Sequence, residues 1–124
     1  MQPSETADAF TIERHGDLTI ISATPVLERL DNEYGKQVSD LVLQPVREQD
    51  DPQVVFDLSQ VDYFGSMFIG LLLRCWKMTT SKGGSMVLSG VSARAKELLR
   101  ITSLDMVWPM YTSRREAIDA LLSN

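Results

Sequence analysis

The spacing of apolar residues changes several times along this chain, and each change marks an element. Phe10 and Ile12 alternate with Thr11 and Glu13, a period of two that predicts a half-buried strand. His15, Gly16 and Asp17 form a turn, and residues 18–23 (LTIISA) predict a second strand, so the fold opens on a hairpin. Steps of three and four then take over. Leu27, Leu30, Tyr34, Val38 and Leu41 make the apolar stripe of a helix that starts at Thr24-Pro25 or at Asp31, and Pro45 ends or kinks it. After a charged loop (REQDDP), Val54, Val55 and Phe56 predict a fully buried strand.

Polar residues and a turn at Phe64-Gly65 separate that strand from a second helix over residues 66–80. Its first two turns are apolar on every side, which calls for cover on most faces or a share in a binding surface. Gly70 costs this helix about 1 kcal/mol relative to alanine, with close backbone packing as the expected benefit. Residues 81–84 (SKGG) end it, and Met86-Val87-Leu88 predict another buried strand. Ser92 caps a third helix with Ala95, Leu98 and Leu99 inside and Arg94, Lys96, Glu97 and Arg100 outside. Met106, Val107 and Trp108 predict a last short strand stopped by Pro109. Ser113 and Glu116 form a capping box ahead of a terminal helix. The order β β α β α β α β α predicts one α/β domain over 10–124, behind a loose tail at 1–9. Its sheet is mixed and mostly parallel, with an N-terminal hairpin and about four helices.

Composition narrows the function. A chain of 124 residues suits one domain with a real core. Seventeen acidic against twelve basic residues, a net charge of −5, argue against a nucleic-acid partner. The polar N-terminus lacks the pattern of a signal peptide, and the apolar run from Met67 to Leu73 is too short for membrane insertion, so a cytoplasmic protein is expected. Cys75 is the lone cysteine and lies among apolar residues at helical spacing, so a core thiol is expected, with no disulfide.

Catalytic signals are weak. Phe64-Gly65-Ser66-Met67-Phe68 places phenylalanine at both glycine positions of a nucleophile elbow, and the single histidine, His15, sits far away in the first hairpin. A serine-dependent enzyme therefore serves only as a control hypothesis. Asp57 and Asp62 flank a turn, where carboxylates more often cap and solvate than bind metal. Neither a metal nor a cofactor is expected. Ser66 remains the candidate. It follows a strand-to-helix loop at the carboxyl edge of a sheet, where open α/β folds place their working residues, and it suits a helix N-cap. As an isolated residue it reads equally as a plain cap and as a modifiable switch.

Three segments together carry a resemblance: Val55-Phe56-Asp57-Leu58, Val61-Asp62-Tyr63-Phe64-Gly65-Ser66 and Ile69-Gly70-Leu71-Leu72-Leu73. They resemble the core signature of the STAS domain, the fold of bacterial anti-sigma factor antagonists, and the C-terminal half from Val91 to Ala117 follows the same pattern. In that family the motif is Asp-Ser-Ser-Gly-Leu-Gly, and its first serine is phosphorylated by an anti-sigma factor that is also a histidine-kinase-like serine kinase. By this resemblance Ser66 is the phosphorylation site, Ile69 the motif leucine and Gly70 its last glycine. Gly65 stands for the aspartate, Met67 for the second serine and Phe68 for the first glycine. The resemblance implies a non-enzymatic antagonist that docks the anti-sigma factor through Asp62, Tyr63, Gly65, Ser66, Met67, Phe68 and Gly70. It implies a serine phosphatase as a second partner. Phe68, on the first turn, is the position most expected to touch the partner. The alternative is a STAS adaptor that is not phosphorylated, a subunit of a lipid-transport ATP-binding-cassette complex or a signalling scaffold.

Overall fold

The computed structural model describes residues 9–29 and 35–123. Strands β1 (Phe10–His15) and β2 (Leu18–Ala23) form the antiparallel hairpin. A 3-10 turn (Pro25–Arg29) and helix α1 (Gly35–Arg47) lead to β3 (Gln53–Asp57), and helix α2 (Ser66–Ser81) to β4 (Ser85–Ser89). Helix α3 (Ala93–Ile101), a short 3-10 turn (Leu104–Met106), strand β5 (Met110–Tyr111) and helix α4 (Arg114–Leu122) complete the chain. The strands lie in sequence order in one sheet, β2 through β5 parallel.

Each inner strand is apolar on both faces because both faces are covered. Ile21, Val54, Phe56, Met86 and Leu88 point to the face with α1, α2 and α3, where Val42, Val46, Leu71, Leu72, Leu99 and Trp108 complete the larger core. Leu18, Ile20, Val55 and Val87 point to the other face and meet Ala117 and Leu121 of α4. One turn depends on glycine for space. A Cβ on Gly84 would lie 1.9 Å from the carbonyl oxygen of Pro52, so the chain entering β4 can pass the start of β3 only without a side chain.

Several expectations change. Residue 9, expected in the tail, is held in the fold. Ala9 is fully buried, and its carbonyl accepts from the Thr24 N–H at 2.9 Å. The expected stripe of one long helix is not the buried face. Leu27 is buried but belongs to the 3-10 turn, Leu41 is 37 % exposed, and α1 instead buries Ser39, Val42, Leu43 and Val46. Leu30 and Tyr34 lie outside the described residues, as does the side chain of Val38. Pro45 lies within the last turn of α1, which continues two residues further to Arg47. Met106-Val107-Trp108 is not a strand. The chain turns there, leaving Met106 87 % exposed while Trp108 is buried, and the strand follows Pro109 at Met110–Tyr111. Nor does Gly70 permit a close backbone approach, since a Cβ there would meet only the end of the Arg74 side chain at 3.4 Å.

Two caps formed as the residue types dictate. Ser92 Oγ accepts from the Ala95 N–H at 3.0 Å, and Ser113 Oγ from the Glu116 N–H at 3.2 Å. Glu116 reaches back one residue further than a capping box requires, accepting from the Thr112 N–H. Cys75 is fully buried, and burial pushes its thiol up to about 12 despite a hydrogen bond with Thr79, so it is inert at neutral pH.

Candidate functional site

The loop from β3 to α2 is held from three directions. At its start, the Leu58 N–H donates to the Ser89 carbonyl at 2.9 Å, continuing the β3–β4 ladder beyond the strands. Asp57 Oδ1 accepts from the Ser59 N–H at 3.0 Å. Gly90, at φ +67°, lets β4's exit pass beside Ser59, where a Cβ would come within 2.7 Å of the Ser59 Cβ. In its middle, the Ser92 hydroxyl donates to the Asp62 carbonyl at 2.6 Å while capping α3. One side chain therefore serves both the helix and the loop. On the far side, the Tyr63 N–H donates to Glu28 Oε1 at 3.3 Å.

Apolar anchors fix the loop from below. Val61 and Phe64 are buried, and the Phe64 ring lies 4.9 Å, centroid to centroid, from that of Phe68. Phe68 in turn stacks on Phe10 at 6.2 Å and meets Phe56 edge-on at 5.8 Å. This corrects the expectation that Phe68 reaches outward. Its ring is 2 % exposed and belongs to the core. The apolar character of the first turn of α2 is spent on the interior.

Ser66 is the first helical residue and not the cap. Gly65 takes the cap position in extended backbone, φ −104° and ψ −167°, and makes no side-chain cap hydrogen bond. The Ser66 side chain is exposed, and among the described residues no hydrogen bond engages its hydroxyl. Glu28, Tyr63, Gly65, Ser66, Met67 and Arg94 share the walls of a cleft of about 440 Å³, floored by Leu27, Phe64 and Phe68. Asp62 and Tyr63 are exposed, Met67 and Gly70 partly so. Arg94, on the expected outer face of α3, completes this site. Its guanidinium lies 4.4 Å from the Tyr63 ring centroid and 3.5 Å from Asp62 Oδ2. No local pattern could have found it, since the contact joins residues 31 and 32 positions apart. Glu28 was missed for the same reason.

On the opposite face of the sheet, at the same end, a second polar group is closed on itself. Arg114, at the start of α4, donates to Asp57 Oδ2 at 3.0 Å, Glu13 Oε2 at 2.9 Å and Ser22 Oγ at 2.7 Å. Burial alone would raise the Asp57 carboxyl, but its bonds from Ser59 and Arg114 outweigh that and hold it below the ordinary value. Asp57 and Asp62 thus each have an arginine and lie apart, and no group of three metal-ligating side chains comes together among the described residues. His15 ends β1 in register with Leu18 and hence with Gln53, at the sheet edge away from Ser66. The geometry forms no serine–histidine pair. Another cleft, of about 380 Å³ between Trp76, Met86, Tyr111 and Leu121, is lined among the described residues by no carboxylate, imidazole or cation. Among the described residues no helix is long and apolar enough to cross a membrane.

Comparison with known proteins agrees with this fold. No curated protein matches the chain. An anti-sigma-factor antagonist (STAS) domain protein from Planctomyces limnophilus is 33 % identical, with a TM-score of 0.81 over 90 % of this chain and 97 % of that one. The anti-sigma factor antagonist SpoIIAA in its unphosphorylated form is 19 % identical, with a TM-score of 0.78 over 94 % of this chain and 98 % of that one. SpoIIAA of Bacillus in its phosphorylated form is also 19 % identical, at 0.70 over 90 % and 98 %. These two share the fold. The STAS domain family model matches residues 2–117, and with this extent of agreement the chain belongs to the STAS domain family.

Proposed function

We propose that this protein is an anti-sigma factor antagonist. Its unmodified form docks an anti-sigma factor, a histidine-kinase-like serine kinase, through Asp62, Tyr63, Gly65, Ser66, Met67 and the exposed edge of Gly70, and so frees a sigma factor. The kinase closes the cycle by passing the γ-phosphoryl group of ATP to Ser66 Oγ. The phosphorus–oxygen bond to ADP breaks, the hydroxyl proton leaves to solvent and ADP departs. A serine phosphatase reverses the state. The protein itself is a binding module in the cytoplasm and needs no cofactor.

The observation that carries this proposal is the Ser66 hydroxyl, open to solvent at the start of a helix whose preceding loop is held from three directions. Phosphate there adds nearly two negative charges at a helix N-terminus, which is compatible with the fold and changes only the docking face. A loss of about 2.7 kcal/mol in partner affinity would weaken binding about a hundredfold, enough for an on/off response. Incubation with ATP and the cognate kinase should place one phosphate on Ser66 and none on Ser66→Ala. Pull-downs should recover the kinase with Ser66→Ala and lose it with Ser66→Asp. Absence of phosphate on Ser66, with partner capture indifferent to both substitutions, overturns the proposal. It would favour the adaptor that is never phosphorylated, a second reading supported by the half-buried Met67 where the family carries a second serine.

A further inference from the structure

The Ser66 cleft has an electrostatic problem that one side chain can solve. One carboxylate lines it, Glu28 from the 3-10 turn, together with the phenol of Tyr63, and a second, Asp62, lies beside it against Arg94. A phosphate on Ser66 would enter like-charged surroundings. Arg94, from the start of α3, is the one cation among the described residues lining the cleft. We infer that Arg94 is the counter-charge of phosphorylated Ser66, held ready over Tyr63 and transferred from Asp62 to the phosphate when the serine is modified.

Its present contacts suit that transfer. The guanidinium carbon lies over the Tyr63 ring, 4.4 Å from its centroid, a cation–π contact that holds the charge near the cleft. Its pairing with Asp62 is a single approach at 3.5 Å between side chains 66 % and 68 % exposed, a weakly held pair in water. A phosphate offers three oxygens and nearly two charges to the planar fork, so it outcompetes a lone carboxylate oxygen. The Ser92 hydroxyl ties the Asp62 carbonyl to the start of the same helix, which keeps Arg94 and the loop in one frame during the exchange. Asp62 is released to solvent, and a partner that docked on the Arg94–Tyr63 face meets a different surface.

The inference rests on Ser66 being the modified residue, but its test needs no kinase. Phosphoserine is incorporated at position 66 during translation, and its second ionisation is followed by phosphorus NMR in the full chain. Arg94→Gln should raise the midpoint by about half a pH unit, the size expected for an exposed charge pair. Arg94→Lys, which keeps the charge and loses the fork, should fall between. The same Arg94→Gln change should leave phosphoserine at the exposed position 81, on the far end of α2, unmoved. No rise at 66, or an equal rise at both positions, overturns the inference. A kinase that ignores Ser66 would sink the proposed antagonist cycle yet leave this titration unaltered, so the two failures are distinguishable.

Discussion

Replacing Phe68 by alanine removes a ring that is 2 % exposed and lies within 6.2 Å, centroid to centroid, of three other phenylalanines. A buried phenylalanine hides at least about 150 Å² of surface, which at about 25 cal/mol per Å² amounts to about 4 kcal/mol. The cavity left among Phe10, Phe56 and Phe64 adds to this, and the better helix propensity of alanine subtracts a few tenths. A net loss of about 4 kcal/mol is a large share of a small domain's stability. With a urea dependence of about 1.5 kcal/mol per molar, the unfolding midpoint should fall by about 2–3 M. Equilibrium unfolding followed by tryptophan fluorescence and far-ultraviolet circular dichroism measures it. Phe68→Leu, which keeps much of the volume, should lose about 1–2 kcal/mol. Tyr63→Ala, at a side chain 39 % exposed on the same loop, should cost less than about 1 kcal/mol. A loss below about 1 kcal/mol for Phe68→Ala would refute a core role and return the ring to the docking face.

Two further expectations concern the same end of the sheet. Gly65→Asp should stabilise the fold by about 0.5–1 kcal/mol, because a Cβ there meets nothing within 4 Å and a carboxylate could accept from the uncapped first turn of α2. A thermal melt should rise by about 3 °C, and a fall would show that the cap geometry is wrong. Asp57→Asn should destabilise the protein at neutral pH and lose its effect in acid. The folded-state pKa of Asp57 is lowered from 3.8, so its contribution is present above the unfolded value and disappears as pH falls through the folded one. Urea unfolding of both proteins between pH 7 and pH 3 should show the gap closing, and a gap independent of pH would remove the charge from the explanation.

What could be read from residues alone follows the range of the interactions involved. The buried strands β3 and β4 announce themselves through short apolar runs, and the caps at Ser92 and Ser113 through residue type three positions ahead of a backbone N–H. Met106-Val107-Trp108 misled because three apolar residues carry no period, so a turn that buries only Trp108 looks like a strand. Phe68 misled for a related reason. An all-apolar first turn does not say which member faces inward, and that is decided by Phe10, fifty-eight residues earlier. The Ser66 loop was legible because strand, turn and helix are contiguous. Its neighbours Glu28 and Arg94 were not, and neither was the Arg114 clamp on Asp57, which spans 57 positions.

The double use of the Ser92 hydroxyl has a consequence for encounter kinetics. With the Asp62 carbonyl fastened to α3 and the Tyr63 amide to Glu28, the proposed docking loop is held in place before any partner arrives. Association should then follow a single concentration-dependent phase, and its heat-capacity change should track the area covered with no folding component.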